Sequence, residues 1–91
     1  MRRLPEEFVR NGFRYNLVRR AENKAIYSQT FRNIVVGYEV FKIRIMRARF
    51  NKVFEVDEPD QERYPCNEDF GRHKAWSTFT LEEALAWYQE L

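Results

Sequence analysis

Alternation constrains this chain more than any other feature. Phe41, Ile43 and Ile45 alternate with Lys42 and Arg44, and Phe13, Tyr15 and Leu17 alternate with Arg14 and Asn16. Period two places apolar side chains on one face of a strand and polar ones on the other. A strand patterned this way must bury its apolar face, so two such runs commit the chain to a sheet. Ala21-Glu22-Asn23-Lys24 reads as a polar turn and Ala25 to Phe31 as the returning strand of a hairpin. Ile34, Val36, Tyr38 and Val40 take the opposite parity to Phe41, Ile43 and Ile45. The long strand from Ile34 to about Arg47 therefore changes its buried face, which calls for a bulge near Gly37. Val53-Phe54-Glu55-Val56 reads as a fourth strand paired with that one.

The ends and the connector read differently. Pro5, Glu6, Glu7 and Gly12 have the order of a short helix over residues 5–11, or of an irregular arm. From Asp57 to Ser77 periodicity vanishes: an acidic connector leads into a turn-rich loop, with Tyr64, Phe70 and Trp76 available to pin it to the core. Thr80 with Glu83 forms a capping box ahead of a stripe of Leu81, Ala84, Leu85, Tyr88 and Leu91, which predicts a C-terminal helix. The expected fold is α+β, a small antiparallel sheet of about four strands with the helix packed on one face. It divides into an arm (1–12), a sheet (13–56), an aromatic loop (57–79) and the helix (80–91) of one domain.

A chain of 91 residues builds only a small core, and here eight Phe, five Tyr and two Trp must fill it. Cys66 is the single cysteine, so no internal disulfide and no tetrathiolate zinc site can form. That usage favours a reducing, cytoplasmic setting. The longest apolar run, Ile34 to Tyr38, is far short of the roughly 20 residues that span a bilayer, and no membrane partner is expected.

Little in the sequence carries reaction chemistry. Cys66 and His73 share the irregular loop, but no third group orients them as a nucleophile and base, so no catalytic residue is assigned. Their spacing, with Glu68 and Asp69, matches no metal-ligand pattern, and three scattered glycines make no phosphate cradle. The expectation is a non-enzymatic protein without cofactor or metal.

Charge is the feature with functional content. The net value of +2 conceals 13 Lys/Arg against 4 Asp/Glu in residues 1–52 and 3 against 10 in residues 53–91. If Arg14, Lys42 and Arg44 share the sheet face away from the helix, that face is basic. Together with Arg47, Arg49 and Lys52 it forms a candidate nucleic-acid surface. Phe13, Tyr15, Phe41 and Ile43 are expected to point inward, which leaves that surface short of a stacking platform unless Tyr27 and Tyr38 are exposed. Trp76, Trp87 and Tyr88 are the candidate anchors for a protein partner or a second copy of the chain. The leading expectation is an accessory or interaction protein, and the competing one a nucleic-acid-binding module.

The succession Leu4-Pro5-Glu6-Glu7-Phe8, Gly12-Phe13-Arg14-Tyr15, Ala25-Ile26-Tyr27-Ser28-Gln29, Tyr38-Glu39-Val40-Phe41-Lys42-Ile43-Arg44, Tyr64-Pro65, Phe70-Gly71, Ala75-Trp76 and Thr80-Leu81-Glu82 resembles a group of small proteins of gut-type bacteria and their phages or mobile elements. That group has no assigned activity. The resemblance implies a phage-related setting and the inclusion of Tyr64 to Trp76 in the domain, and it supplies no catalytic or binding residue.

Overall fold

Asn11-Gly12 is the first structural signal along the chain, and it makes a hairpin. Both residues have positive φ (54° and 82°), and they join β1 (Glu7–Arg10) to β2 (Phe13–Arg20) with Arg10 directly opposite Phe13. Two consecutive residues at positive φ match the right-handed twist of the flanking strands. The helix expected over 5–11 is therefore a strand, because Gly12 serves a two-residue turn and not a helix cap. Arg32 and Asn33 (φ 51° and 66°) repeat the device between β3 (Lys24–Phe31) and β4 (Ile34–Lys42). The structure, a computed structural model, describes residues 2–72 and 74–91, and the side chains of Arg49, Asn51, Val56 and Glu58 also lie outside the described set.

Five antiparallel strands form the main sheet, β1, β2, β3 and β4 side by side with one later strand beyond β4, and a C-terminal helix, α1 (Leu81–Glu90), packs on it. The outermost strand, β9 (Ala75–Thr78), comes from the end of the stretch read as a loop, and it pairs with β4 through Tyr38↔Thr78 to Phe41↔Ala75. The fourth strand expected at Val53–Val56 is instead mostly a turn, and its supposed place beside β4 belongs to β9.

Two bulges set which side chains face which way. On β2 the extra residue is Val18, and on β4 it is Val36, immediately before Gly37. Gly37 is also where β9 comes closest: a Cβ there would lie 2.9 Å from the Thr78 carbonyl oxygen. A side chain at that position would push the two strands apart.

Each sheet face carries its own core. On one face Tyr15, Ala25, Tyr27, Phe41, Ile43 and Ala75 are buried, with Phe8, Tyr64 and Phe70 packed against them. Tyr64 is the keystone. Its ring meets Phe8, Tyr15, Tyr27 and Phe41 edge-on at centroid distances of 4.7 to 5.7 Å, a favoured arrangement for aromatic pairs. On the other face Ile26 and Val40 meet Ala84 and Tyr88 of α1, flanked by Trp76 and Leu85. The Thr80 hydroxyl accepts the Glu83 N–H at 3.2 Å, starting the helix as its sequence predicts. At the far end Lys24 Nζ donates to the Tyr88 carbonyl at 2.8 Å and lies over the Tyr88 ring, a cation at the negative pole of the helix.

Beyond Ile43 the chain leaves this sheet. β5 (Arg44–Met46) pairs with β8 (Gln61–Arg63), and β6 (Arg49–Asn51) pairs with β7 (Val56–Glu58). The registers Arg44↔Arg63 and Arg49↔Glu58 belong to one alignment, so residues 44–63 form a single interrupted β-ribbon closed by a turn at 52–55.

Candidate nucleic-acid interface

The structure redistributes the basic residues. Arg14 pairs in register with Thr30, and Lys42 with Lys24, so both share parity with Ile26 and lie on the helix side of the sheet. The opposite face is the aromatic core under Tyr64 and Phe70. The basic sheet face expected away from the helix is therefore absent, because the parity that turns Phe41 and Tyr15 toward Tyr64 turns Lys42 and Arg14 the other way. Arg14 reaches the Glu7 carboxylate at 3.7 Å on an exposed patch.

Arg44, Arg47, Arg49 and Lys52 lie on the ribbon or its turn, where an acidic strand runs beside them. Residues 44–63 hold five basic and five acidic residues. Arg47 Nη1 is 3.6 Å from an Asp60 carboxylate oxygen, and that carboxylate also accepts the Ala48 N–H. Arg49 is opposite Glu58 in register, while its side chain lies outside the described set. At the ribbon root Glu62, its side chain 5% exposed, accepts two hydrogen bonds from Arg20 at 2.8 and 2.9 Å and one from the Leu4 N–H at 2.9 Å. Arg20 holds the Glu62 carboxyl below its ordinary range.

Cations of a different standing gather at the root of the ribbon. Where β4 hands over to β5, Lys42, Ile43 and Arg44 face Arg72 and Lys74 across a cavity of about 420 Å³. The backbone builds the opposition. Lys42 N–H donates to the Lys74 carbonyl at 2.8 Å, Arg72 N–H to the Asp69 carbonyl at 3.1 Å, and Gly71 N–H to the Ala75 carbonyl at 2.6 Å. Gly71 at φ 82° and Lys74 at φ 58° fold the chain back so that two more cations meet the β4 end. Asp69 orients the rim. Its carboxylate, 8% exposed, lies 3.9 Å from Arg44 Nη1 and 3.3 Å from Arg63 Nη2, and it accepts the Cys66 N–H at 3.0 Å. That N–H, the Cys66 thiol and the two arginines hold the Asp69 carboxyl below its usual range. One carboxylate thus serves two arginines, and among the described residues none pairs with Lys42, Arg72 or Lys74.

The candidate partner anchors separate. Tyr88 is buried between α1 and the sheet, so it stabilises the fold and is not an exposed anchor. Trp76 and Trp87 stack on each other at 4.1 Å, with Trp87 39% exposed. Cys66 contacts Asp69 and Arg63; His73, its sequence-level companion, lies outside the described residues.

A buried carboxyl that sequence reading passed over is Glu39, 8% exposed on the aromatic face. Tyr64 Oη donates to it at 2.6 Å and Ser77 also bonds to it. Burial pushes the Glu39 carboxyl up, outweighing those donors and the nearby Arg10, and burial likewise raises the Tyr64 hydroxyl. The only sequence signal was its place inside an apolar run. Among the described residues, no group of three or more His, Cys, Asp or Glu comes together to hold a metal ion, and no helix is long and apolar enough to cross a membrane.

Compared with protein-family models, with curated proteins and with solved structures, the chain matches none.

Proposed function

We propose that this protein is a non-enzymatic binding module that takes the phosphate backbone of nucleic acid in the cleft formed by Lys42, Arg44, Arg72 and Lys74. The observation that carries the reading is the convergence of four cations on one concavity, three of them without a carboxylate partner among the described residues. Phosphates reward such a surface by releasing condensed counterions. The non-enzymatic part is supported by how the buried polar groups are used. Glu39 is held by Tyr64 and Ser77, while Glu62 lines a second cavity of about 450 Å³ with its oxygens already committed to Arg20 and Leu4. A cytoplasmic, phage- or mobile-element-derived setting belongs to the same proposal, on the strength of the cysteine usage and the sequence resemblance.

Titrating the protein into labelled nucleic acid at low salt, then raising the salt, tests this reading. Measurable binding that weakens along a straight line in log salt is expected. Failure to bind at low salt, or binding indifferent to salt, removes it.

A protein partner or a second copy of the chain is the competing reading. It is favoured by Phe79, 85% exposed just beyond the edge strand β9, and by Trp87 of α1, 39% exposed. Light scattering at high protein concentration tests the self-pairing form, which a strict monomer removes.

A further inference from the structure

We infer that two copies of this chain pair edge to edge along the exposed half of β4, through Ile34, Val35 and Val36. The cleft lies at the other end of β4, at Lys42, so this pairing holds or fails separately from the nucleic-acid reading.

β4 has nine residues and β9 only four, so β9 covers part of its edge. Their pairing runs from Phe41↔Ala75 to Tyr38↔Thr78, and the chain then turns into α1, whose N-cap is Thr80. Ile34, Val35 and Val36 extend past that point and stand 67%, 50% and 42% exposed. A strand edge of this kind is a template for another strand, and proteins usually blunt it with charge, proline or shortness. The other two edges are blunted in that way: β1 bears Glu7 and Arg10 and follows Pro5, and β9 is short. Residues 33–38 carry neither a charge nor a proline.

The backbone at Val35 supplies the bonding groups. Arg32 and Asn33 make a two-residue turn, which closes with Phe31 and Ile34 exchanging hydrogen bonds. Alternation along the ladder then points the Val35 N–H and C=O away from β3. A second copy laid antiparallel, with Val35 opposite its own counterpart, satisfies both groups. Ile34 of each copy then falls opposite Val36 of the other. The two-fold axis through the Val35 pair makes this contact self-complementary, so it closes at two copies and does not propagate.

Charge selects a second copy over an unrelated strand. In this register Asn33 of one copy comes opposite Gly37 of the other, so the hairpin tip reaches the corner where β9 turns into α1. Arg32 at that tip is exposed, and among the described residues no carboxylate pairs with it. The corner offers Glu82 and Glu83, both exposed in the first turn of α1. Symmetry makes this meeting of cation and carboxylate occur twice. Phe79, 85% exposed directly after Thr78, lies at the same corner and is covered in the pair.

Sedimentation equilibrium of the full chain, from about 1 μM to about 1 mM, tests the pairing. The mass should rise with concentration from one chain toward two, with the weak affinity of a small contact. Val35→Pro removes the outward N–H without removing a bond to β3 and should stay monomeric throughout. Val35→Lys sets like charges directly opposite each other across the axis and should weaken pairing at least about tenfold. It carries the test if circular dichroism shows that the proline variant does not fold. Arg32→Glu and Glu82→Lys should each weaken pairing about fivefold, and the two together should return it to within about twofold of the wild type. A wild type that stays monomeric to about 1 mM overturns the inference. So does a dimer that the folded Val35 variants leave intact, or a double reversal no better than either single one.

Discussion

The ribbon of residues 44–63 and the cleft at its root draw on the same residue types, yet they present opposite surfaces. Along the ribbon an arginine-bearing strand folds back beside an acidic one, so Arg47 meets Asp60 and the segment's five basic and five acidic residues cancel. At the cleft, Lys42 and Arg44 meet Arg72 and Lys74, and Asp69 is the one carboxylate described at the rim, shared with Arg63. A count of basic residues along the chain favours the ribbon. Pairing in three dimensions favours the cleft, because a cation already matched to a carboxylate has less to gain from a phosphate than one held only by water.

The largest effect is expected where the ribbon joins the sheet. Glu62 and Arg20 form a mostly buried, doubly hydrogen-bonded pair, and removing one partner leaves the other charge stranded. Glu62→Ala is expected to cost about 3 kcal/mol in urea unfolding at pH 7. The pH dependence carries a sign. Since the folded-state Glu62 carboxyl is depressed, its stabilisation is present above the ordinary carboxylate range and is lost as pH falls through the folded value. The variant should therefore lose less stability than the wild type on acidification. A cost below about 0.5 kcal/mol would show that the ribbon's charge pairs are incidental.

Next comes the cleft itself. Lys42→Ala with Lys74→Ala removes two of the four cations and is expected to weaken binding to a duplex DNA probe at least about tenfold and flatten the salt slope by about 1.8, with melting temperature nearly unchanged since neither side chain is buried.

Glu39 sharpens the contrast from a third setting, where a carboxyl is buried without a close cation bonded to it. Its raised folded-state value means that it contributes stability while protonated and loses that contribution as pH rises through the folded value. Glu39→Gln keeps an acceptor for Tyr64 Oη and abolishes the charge. Calorimetry should find a higher melting temperature than wild type at pH 7, a gain that fades as pH is lowered. A lower melting temperature at pH 7 would mean that Arg10 and the Tyr64 and Ser77 donors outweigh burial.

The smallest effect is expected from Arg47→Ala on the ribbon. Its ion pair is exposed, so stability should shift by less than about 0.5 kcal/mol and duplex affinity by less than about twofold.

The elements with the strongest periodic signals were legible in the sequence. The Thr80–Glu83 box and the Ala84/Tyr88 stripe located α1, and the alternation around Phe13 and Phe41 located β2 and β4. The sequence reading missed β1 because Asn11-Gly12 suits both a hairpin turn and a helix end, and the pairing of Glu7–Arg10 with β2 decides between them. It missed β9 because four residues, Ala75 to Thr78, are too few to display a period. The cleft was half legible. Lys42 and Arg44 stood out by charge, but Arg72 and Lys74 come from a stretch of acidic connector and loop, and only the fold-back that pairs Lys42 with Lys74 brings them together. Alternation reports which side of a strand a residue takes and says nothing about which distant turn will face it.

The most direct test of the central claim, that unpaired cations and not the number of cations make the binding surface, compares one variant from each region under the same conditions. Duplex affinity is measured as a function of salt for the wild type, Lys42→Ala and Arg47→Ala. A loss of about 0.9 in slope for Lys42→Ala, with Arg47→Ala on the wild-type line, is the predicted result. Equal losses for the two variants, or a larger one for Arg47→Ala, would contradict it.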